Sequence, residues 1–74
     1  MEQGKEFHEE RLAIGKAVAE LRIKHGLSVR ALSSMSGVAW QNITKLEHGR
    51  YNPSVDILNK LGRVLQFKLR LVSE

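Results

Sequence analysis

Projected at ~100° per residue, residues 39–48 place Gln41, Thr44, Lys45 and His48 along one side of a helix. All four carry hydrogen-bonding side chains. A glutamine can pair bidentately with adenine, and a lysine can donate to guanine. The same groups reach phosphate oxygens. Ala39, Ile43 and Leu46 fall on the opposite side, which must face a core. Trp40 and Asn42 lie on the flanks. The spacing suits a helix that reads base edges. For Gln41 and Lys45 the plain alternative is a solvated face. For Trp40 it is packing against the preceding helix, because an aromatic ring buries much area.

Other chemistries find little support. Ser28, Ser33, Ser34 and Ser36 have no evident base partner, and four short helices leave little room for a cleft, so no enzyme is expected. His8, His25 and His48 have a spacing that fits no metal site, and no cofactor is implied. Cysteine is absent, which removes disulfides and thiolate metal sites. No apolar run approaches the ~20 residues of a membrane span, and no signal peptide is visible. A cytoplasmic chain is the expectation.

Charge points the same way as the helix. The 74 residues carry a net charge of +4. Residues 1–10 hold Glu2, Glu6, Glu9 and Glu10 against Lys5, a balance of −3. Residues 11–74 hold eleven lysines or arginines against Glu20, Glu47, Asp56 and Glu74, a balance of +7. A basic body this small attracts polyanions, nucleic acid first among them.

The elements that position these side chains can be read from punctuation and period. Met1 opens a chain that reads as one small domain, too short to bury more than a modest core. Residues 1–8 lack helical periodicity and read as a flexible acidic arm. From about His8 to His25 the apolar residues Ala13, Ile14, Ala17, Val18 and Leu21 recur at helical spacing, and Gly26 can end the helix. Ser28 can cap a second helix with a buried stripe of Ala31, Leu32 and Met35, ended by Gly37. Val38 sits in the turn as an apolar plug. The third helix spans about Ala39 to His48, closed by Gly49. Pro53 holds Asn52 outside helical geometry. Ser54 then caps a fourth helix that carries Ile57, Leu58, Leu61, Val64 and Leu65 on a broad apolar face, with Asp56 near its positive end. From Gln66 to Val72 the period becomes two: Phe67, Leu69 and Leu71 alternate with Lys68 and Arg70. A short strand is expected, and because the chain offers no second strand, its expected partner is the same strand of another copy.

From Ile14 to Leu65 the chain resembles the Cro/CI-type helix-turn-helix domain, the xenobiotic-response-element family of bacterial and phage regulators. The resemblance rests on Ile14-Gly15, Leu21-Arg22, Gly26-Leu27-Ser28, Ala31-Leu32, Gly37-Val38 and the run Ile43 to Ser54, with Leu46-Glu47-His48-Gly49 and Pro53 at the family's spacing. Leu61 and Leu65 follow at the expected positions. The resemblance implies that Gln41, Lys45 and Trp40 occupy base-reading positions and that His48 and Arg50 contact phosphate. It also implies that Arg22 and Glu47 form a buried pair tying the first helix to the end of the third. Val29 stands where many members carry a phosphate-contacting Gln, and neighbouring Arg30 takes that contact in this reading. Ser28, Asn42 and Thr44 complete the expected DNA-binding set. Ala39 replaces the usual Ser or Thr cap. A fifth helix common in the family is absent, and the strand in its place resembles HipB-type antitoxin repressors.

The expected fold is therefore all-α, a lambda-repressor-like bundle of four short helices with a helix-turn-helix. The arm would span residues 1–8 and the DNA-binding domain residues 9–65. A dimerisation strand, residues 66–74, would pair across a homodimer through Phe67, Leu69 and Leu71. The expected function is a repressor that binds a palindrome in double-stranded DNA. The alternative is an antitoxin whose main partner is a cognate toxin, with DNA binding as autoregulation.

Overall fold

The structure, a computed structural model, describes residues 7–73. Four helices follow in order: α1 (His8–Lys24), α2 (Val29–Ser36), α3 (Trp40–Glu47) and α4 (Val55–Leu65). The helix α1 packs on α3, and α2 packs on both α3 and α4. Val18, Leu32, Val38, Ile43, Leu46, Leu61 and Leu65 meet in one core. Each helix contributes at least one of them, and Val38 comes from the turn. Most of the expected acidic arm lies outside the described residues, and His8, its last residue, is already the first residue of α1.

Local chemistry sets the boundaries. The Ser28 hydroxyl accepts the Ala31 N–H at 3.0 Å, and the Ser54 hydroxyl accepts the Ile57 N–H at 3.1 Å. Each satisfies one of the orphan donors of a first turn. Ala39 precedes α3 without a side-chain cap. Gly37 ends α2 at φ +79° with its N–H on the Ser33 carbonyl, a left-handed conformation that a Cβ would disfavour. The next N–H, from Val38, donates to the Ser36 hydroxyl at 3.2 Å. This turn is short enough to make α2 and α3 cross steeply, and Val38, 2% exposed, fills the gap between them. At the end of α3, Gly49 N–H bonds the Leu46 carbonyl and Arg50 N–H bonds the Lys45 carbonyl, the paired bonds of a Schellman ending.

Two expectations about packing are corrected. Met35 is 62% exposed, outside the core stripe, and Ala31 is only half-buried. A helix of eight residues wedged between α3 and α4 buries what faces both neighbours, and Leu32 alone does so completely. In α1 only Gly15 and Val18 are buried. Ala13, Ile14 and Ala17 remain exposed. Ile14, Ala17, Val18 and Leu21 instead form one wall of an open apolar groove, with Leu58, Phe67 and Leu69 opposite.

The chain beyond α4 holds no strand among the described residues. The physical reason is the one that motivated the pairing: a strand needs a neighbour for its N–H and C=O groups, and one copy supplies none. Gln66 ends α4 at φ +64°, the only non-glycine residue with positive φ among those described. Phe67 N–H returns to the Gly62 carbonyl at 3.0 Å. Phe67 then packs on the core, over Gly62, where a side chain would collide with its carbonyl and crowd its ring. Leu69, Leu71 and Val72 stay exposed.

Candidate nucleic-acid interface

Ile43 and Leu46 anchor α3 in the core, at 0% and 1% exposure. With those two directions fixed inward, the 3.6-residue period turns Trp40, Gln41 and Lys45 outward, and all three are exposed. His48, just past the helix, is exposed too, while Asn42 and Thr44 are half-buried on the flanks. The His48 Nδ1 lies 2.7 Å from the Thr44 carbonyl. A carbonyl can only accept, so Nδ1 carries the proton and Nε2 is left for an outside partner.

Arg30, on α2, lays its guanidinium over the Trp40 ring at 4.5 Å from the centroid. The two residues expected to contact DNA from different helices thus form one unit. Such a stack contributes ~0.5–1 kcal/mol at an exposed site. It also combines the two alternatives for Trp40: the ring packs against α2 and still keeps 38% of its surface exposed. The Ser28 oxygen is engaged as the cap of α2, leaving its O–H as a donor. Arg50 is exposed immediately after the Schellman ending of α3.

The end of α3 is held by α1. Arg22 Nε donates to Glu47 Oε2 at 2.7 Å and Nη2 to Oε1 at 3.1 Å, a bidentate fork. Arg22 Nη1 also donates to the Leu27 carbonyl at 2.9 Å. One guanidinium therefore links α1, the α1–α2 turn and α3. The side chains are 16% and 9% exposed. The hydrogen bonds that Arg22 donates to Glu47 raise its pKa above the ordinary value, with partial burial opposing them and the Glu47 charge adding to them. Arg11 Nε reaches the Gly49 carbonyl at 3.4 Å, from about three turns nearer the start of α1.

Sequence reasoning placed the exposed face of α3 but missed three supports. Gly15 lies where α1 crosses α3, and a methyl group built on it would collide with the Leu46 carbonyl and Glu47 backbone. A glycine inside a long helix, costing ~1 kcal/mol relative to alanine, was the signal for that close approach. The Arg22–Leu27 bond and the Arg30–Trp40 stack had no signal in spacing, because both depend on how separate elements meet. Among the described residues no group of three His, Asp or Glu side chains could hold a metal. No helix among them is long and apolar enough to cross a membrane.

The profile of the helix-turn-helix family matches residues 18–72. The chain is 34% identical over 61 residues to the HTH-type transcriptional regulator PuuR of Escherichia coli, covering 82% of this chain and 33% of that protein. It therefore spans about a third of that longer relative. It is 35% identical over 52 residues to an uncharacterized HTH-type transcriptional regulator of Archaeoglobus fulgidus, covering 70% of this chain and 74% of that one. A third relative, the uncharacterized HTH-type transcriptional regulator y4dJ of Sinorhizobium fredii, is 36% identical over 55 residues, covering 74% of this chain and 71% of the relative. No solved structure matches. A helix pair joined at Gly37-Val38, an outward polar face on its second member and this sequence kinship agree: the chain belongs to the XRE-type helix-turn-helix family of DNA-binding transcriptional regulators.

Proposed function

We propose that this chain binds double-stranded DNA sequence-specifically as a homodimer and represses transcription by occupying a palindromic operator. The observation that carries this reading is α3: an eight-residue helix buried through Ile43 and Leu46 and exposed through Trp40, Gln41 and Lys45. In the major groove, Gln41 and Lys45 would read base edges. Arg50 and His48, at the end of α3, and Arg30 and Ser28, on and before α2, would hold the backbone on either side. Asn42 and Thr44 would contribute from the flanks. The role is binding rather than catalysis.

The dimer is supported by the apolar groove between α1 and α4, which Leu69 lines, and by the exposed Leu71 and Val72 that follow it. A hydrophobic tail and an open apolar groove in one small chain are the halves of a self-complementary contact. In this reading residues 66–74 pair about a two-fold axis through Leu69 and Leu71. Phe67 joins them from below while it caps its own core. Two copies of α3 would then stand about one DNA turn apart, ~34 Å.

Selection of bound duplexes from random DNA tests this directly. The expected result is an enriched site with two inverted half-sites whose centres lie about 10 base pairs apart. A pool that stays unenriched, bound with strong salt dependence alone, would contradict sequence-specific reading.

A further inference from the structure

The Arg30–Trp40 stack has a consequence for what the interface reads, on the reading that α3 enters the major groove. We propose that this stack is a methyl reader: it presents the indole edge of Trp40 to the C5-methyl group of a thymine at the edge of each half-site.

Trp40 is the first residue of α3, and N-terminal residues of a recognition helix are the ones that meet base edges. Its ring is tethered on one face by Arg30 at 4.5 Å, so it does not fold back into the core. The indole itself is hydrocarbon apart from one N–H, and 38% of the residue stays exposed. Major-groove edges offer one sizeable apolar group, the thymine methyl, where cytosine has only a C–H. A carbon edge pressed against a polar base atom would strand that atom without a hydrogen bond. Pressed against a methyl, it strands nothing and removes apolar surface from water. The tether matters as much as the ring. An exposed indole free to rotate would lose rotamer entropy on binding, and the stack has already restricted it. Arg30 keeps guanidinium N–H groups at its rim for phosphate, so one pair of side chains serves backbone contact and base discrimination together. Arg30 is the positioning residue and Trp40 the contact.

The test uses the operator enriched from random DNA and replaces its thymines one at a time with deoxyuridine, which deletes only the methyl. At one thymine per half-site, the replacement weakens binding of the wild-type protein about fourfold, the value of one buried methyl-sized group. Trp40→Ala binds the thymine and deoxyuridine operators equally well. Arg30→Lys keeps the charge but not the planar stack, and it narrows the difference between the two operators. Trp40 is the only tryptophan in the chain, so its fluorescence reports the same contact: it shifts on binding the thymine operator and shifts less on the deoxyuridine one. A wild-type protein indifferent to every deoxyuridine replacement overturns the proposal. So does a penalty that persists in Trp40→Ala, or one that appears instead on replacing a purine with its 7-deaza form, which would assign the indole N–H as donor. Any of these with Gln41- and Lys45-dependent binding intact leaves α3 as the reading helix and removes the methyl contact alone.

Discussion

Arg22 and Glu47 show what a partly buried pair can and cannot contribute. Their fork is well formed, but taking two charges out of water offsets most of the attraction. Removing one partner is different, because it strands the other. Glu47→Ala should cost about 2–3 kcal/mol, near the low end for a buried pair because both side chains retain some exposure. Replacing Arg22 and Glu47 together with leucine should cost clearly less than that single change. Thermal melts of the three proteins check this, and a Glu47→Ala melt that superimposes on the wild type would contradict it. The pair does not limit stability from the arginine side at any ordinary pH. The Arg22 pKa is raised, so its contribution is fully present below the ordinary arginine value and is lost only as pH rises through the still higher folded value.

Helix ends were largely legible in the sequence, whereas helix crossings were not. Ser28, Ser54, Gly37 and Gly49 could be assigned from residue type, because caps and left-handed turns are local chemistry. The exposed side of α3 was legible as well, since Ile43 and Leu46 fix its inward direction. Met35 was misplaced because a two-turn helix has too few residues for period to define its face. Gln66 escaped notice because nothing marks a glutamine as a left-handed cap. It is strained there, so Gln66→Gly should stabilise the protein by about 0.5–1 kcal/mol, a rise of several degrees in melting temperature. A melt unchanged or lowered would show that the Gln66 conformation is not costly. Gly15 gives a test with opposing signs. Helix propensity alone makes Gly15→Ala favourable by ~1 kcal/mol. The close approach of the Leu46 carbonyl makes it unfavourable instead, by about 1–3 kcal/mol as α1 is pushed from α3. The same push would loosen the Arg22–Glu47 fork. A stabilised Gly15→Ala protein would mean that α1 and α3 do not touch as described.

At the scale of the whole molecule, a small core must be matched by an economical surface. Among the described residues seven buried apolar side chains make the core, yet the α1–α4 groove and the tail leave further apolar area in water. A dimer is the arrangement that would cover it, and it predicts a melting temperature that rises with protein concentration. Leu71 is fully exposed in the single chain and Leu69 is 43% exposed, outside the buried core, so Leu69→Glu/Leu71→Glu should leave the monomer fold intact and abolish dimer formation in sedimentation. A double variant that still sediments as a dimer would move the interface elsewhere. The tail is also where sequence reading reached its limit. Alternation of Phe67, Leu69 and Leu71 with Lys68 and Arg70 can describe a strand only where a partner is present, and the single chain holds no strand there among the described residues.

If α3 is the reading helix, its exposed face distinguishes one DNA sequence from another through Gln41 and Lys45. This is tested most directly by the affinity of Gln41→Ala/Lys45→Ala for the enriched operator and for a scrambled duplex at one salt concentration. Both side chains are exposed, so the variant should melt like the wild type. Operator affinity should weaken by about 1–3 kcal/mol for each side chain removed, a combined loss of at least ~30-fold. Scrambled-duplex affinity should fall far less, by the one phosphate-attracting charge that Lys45 removes. An operator bound by the variant as tightly as by the wild type would contradict the assignment of α3 as the reading helix.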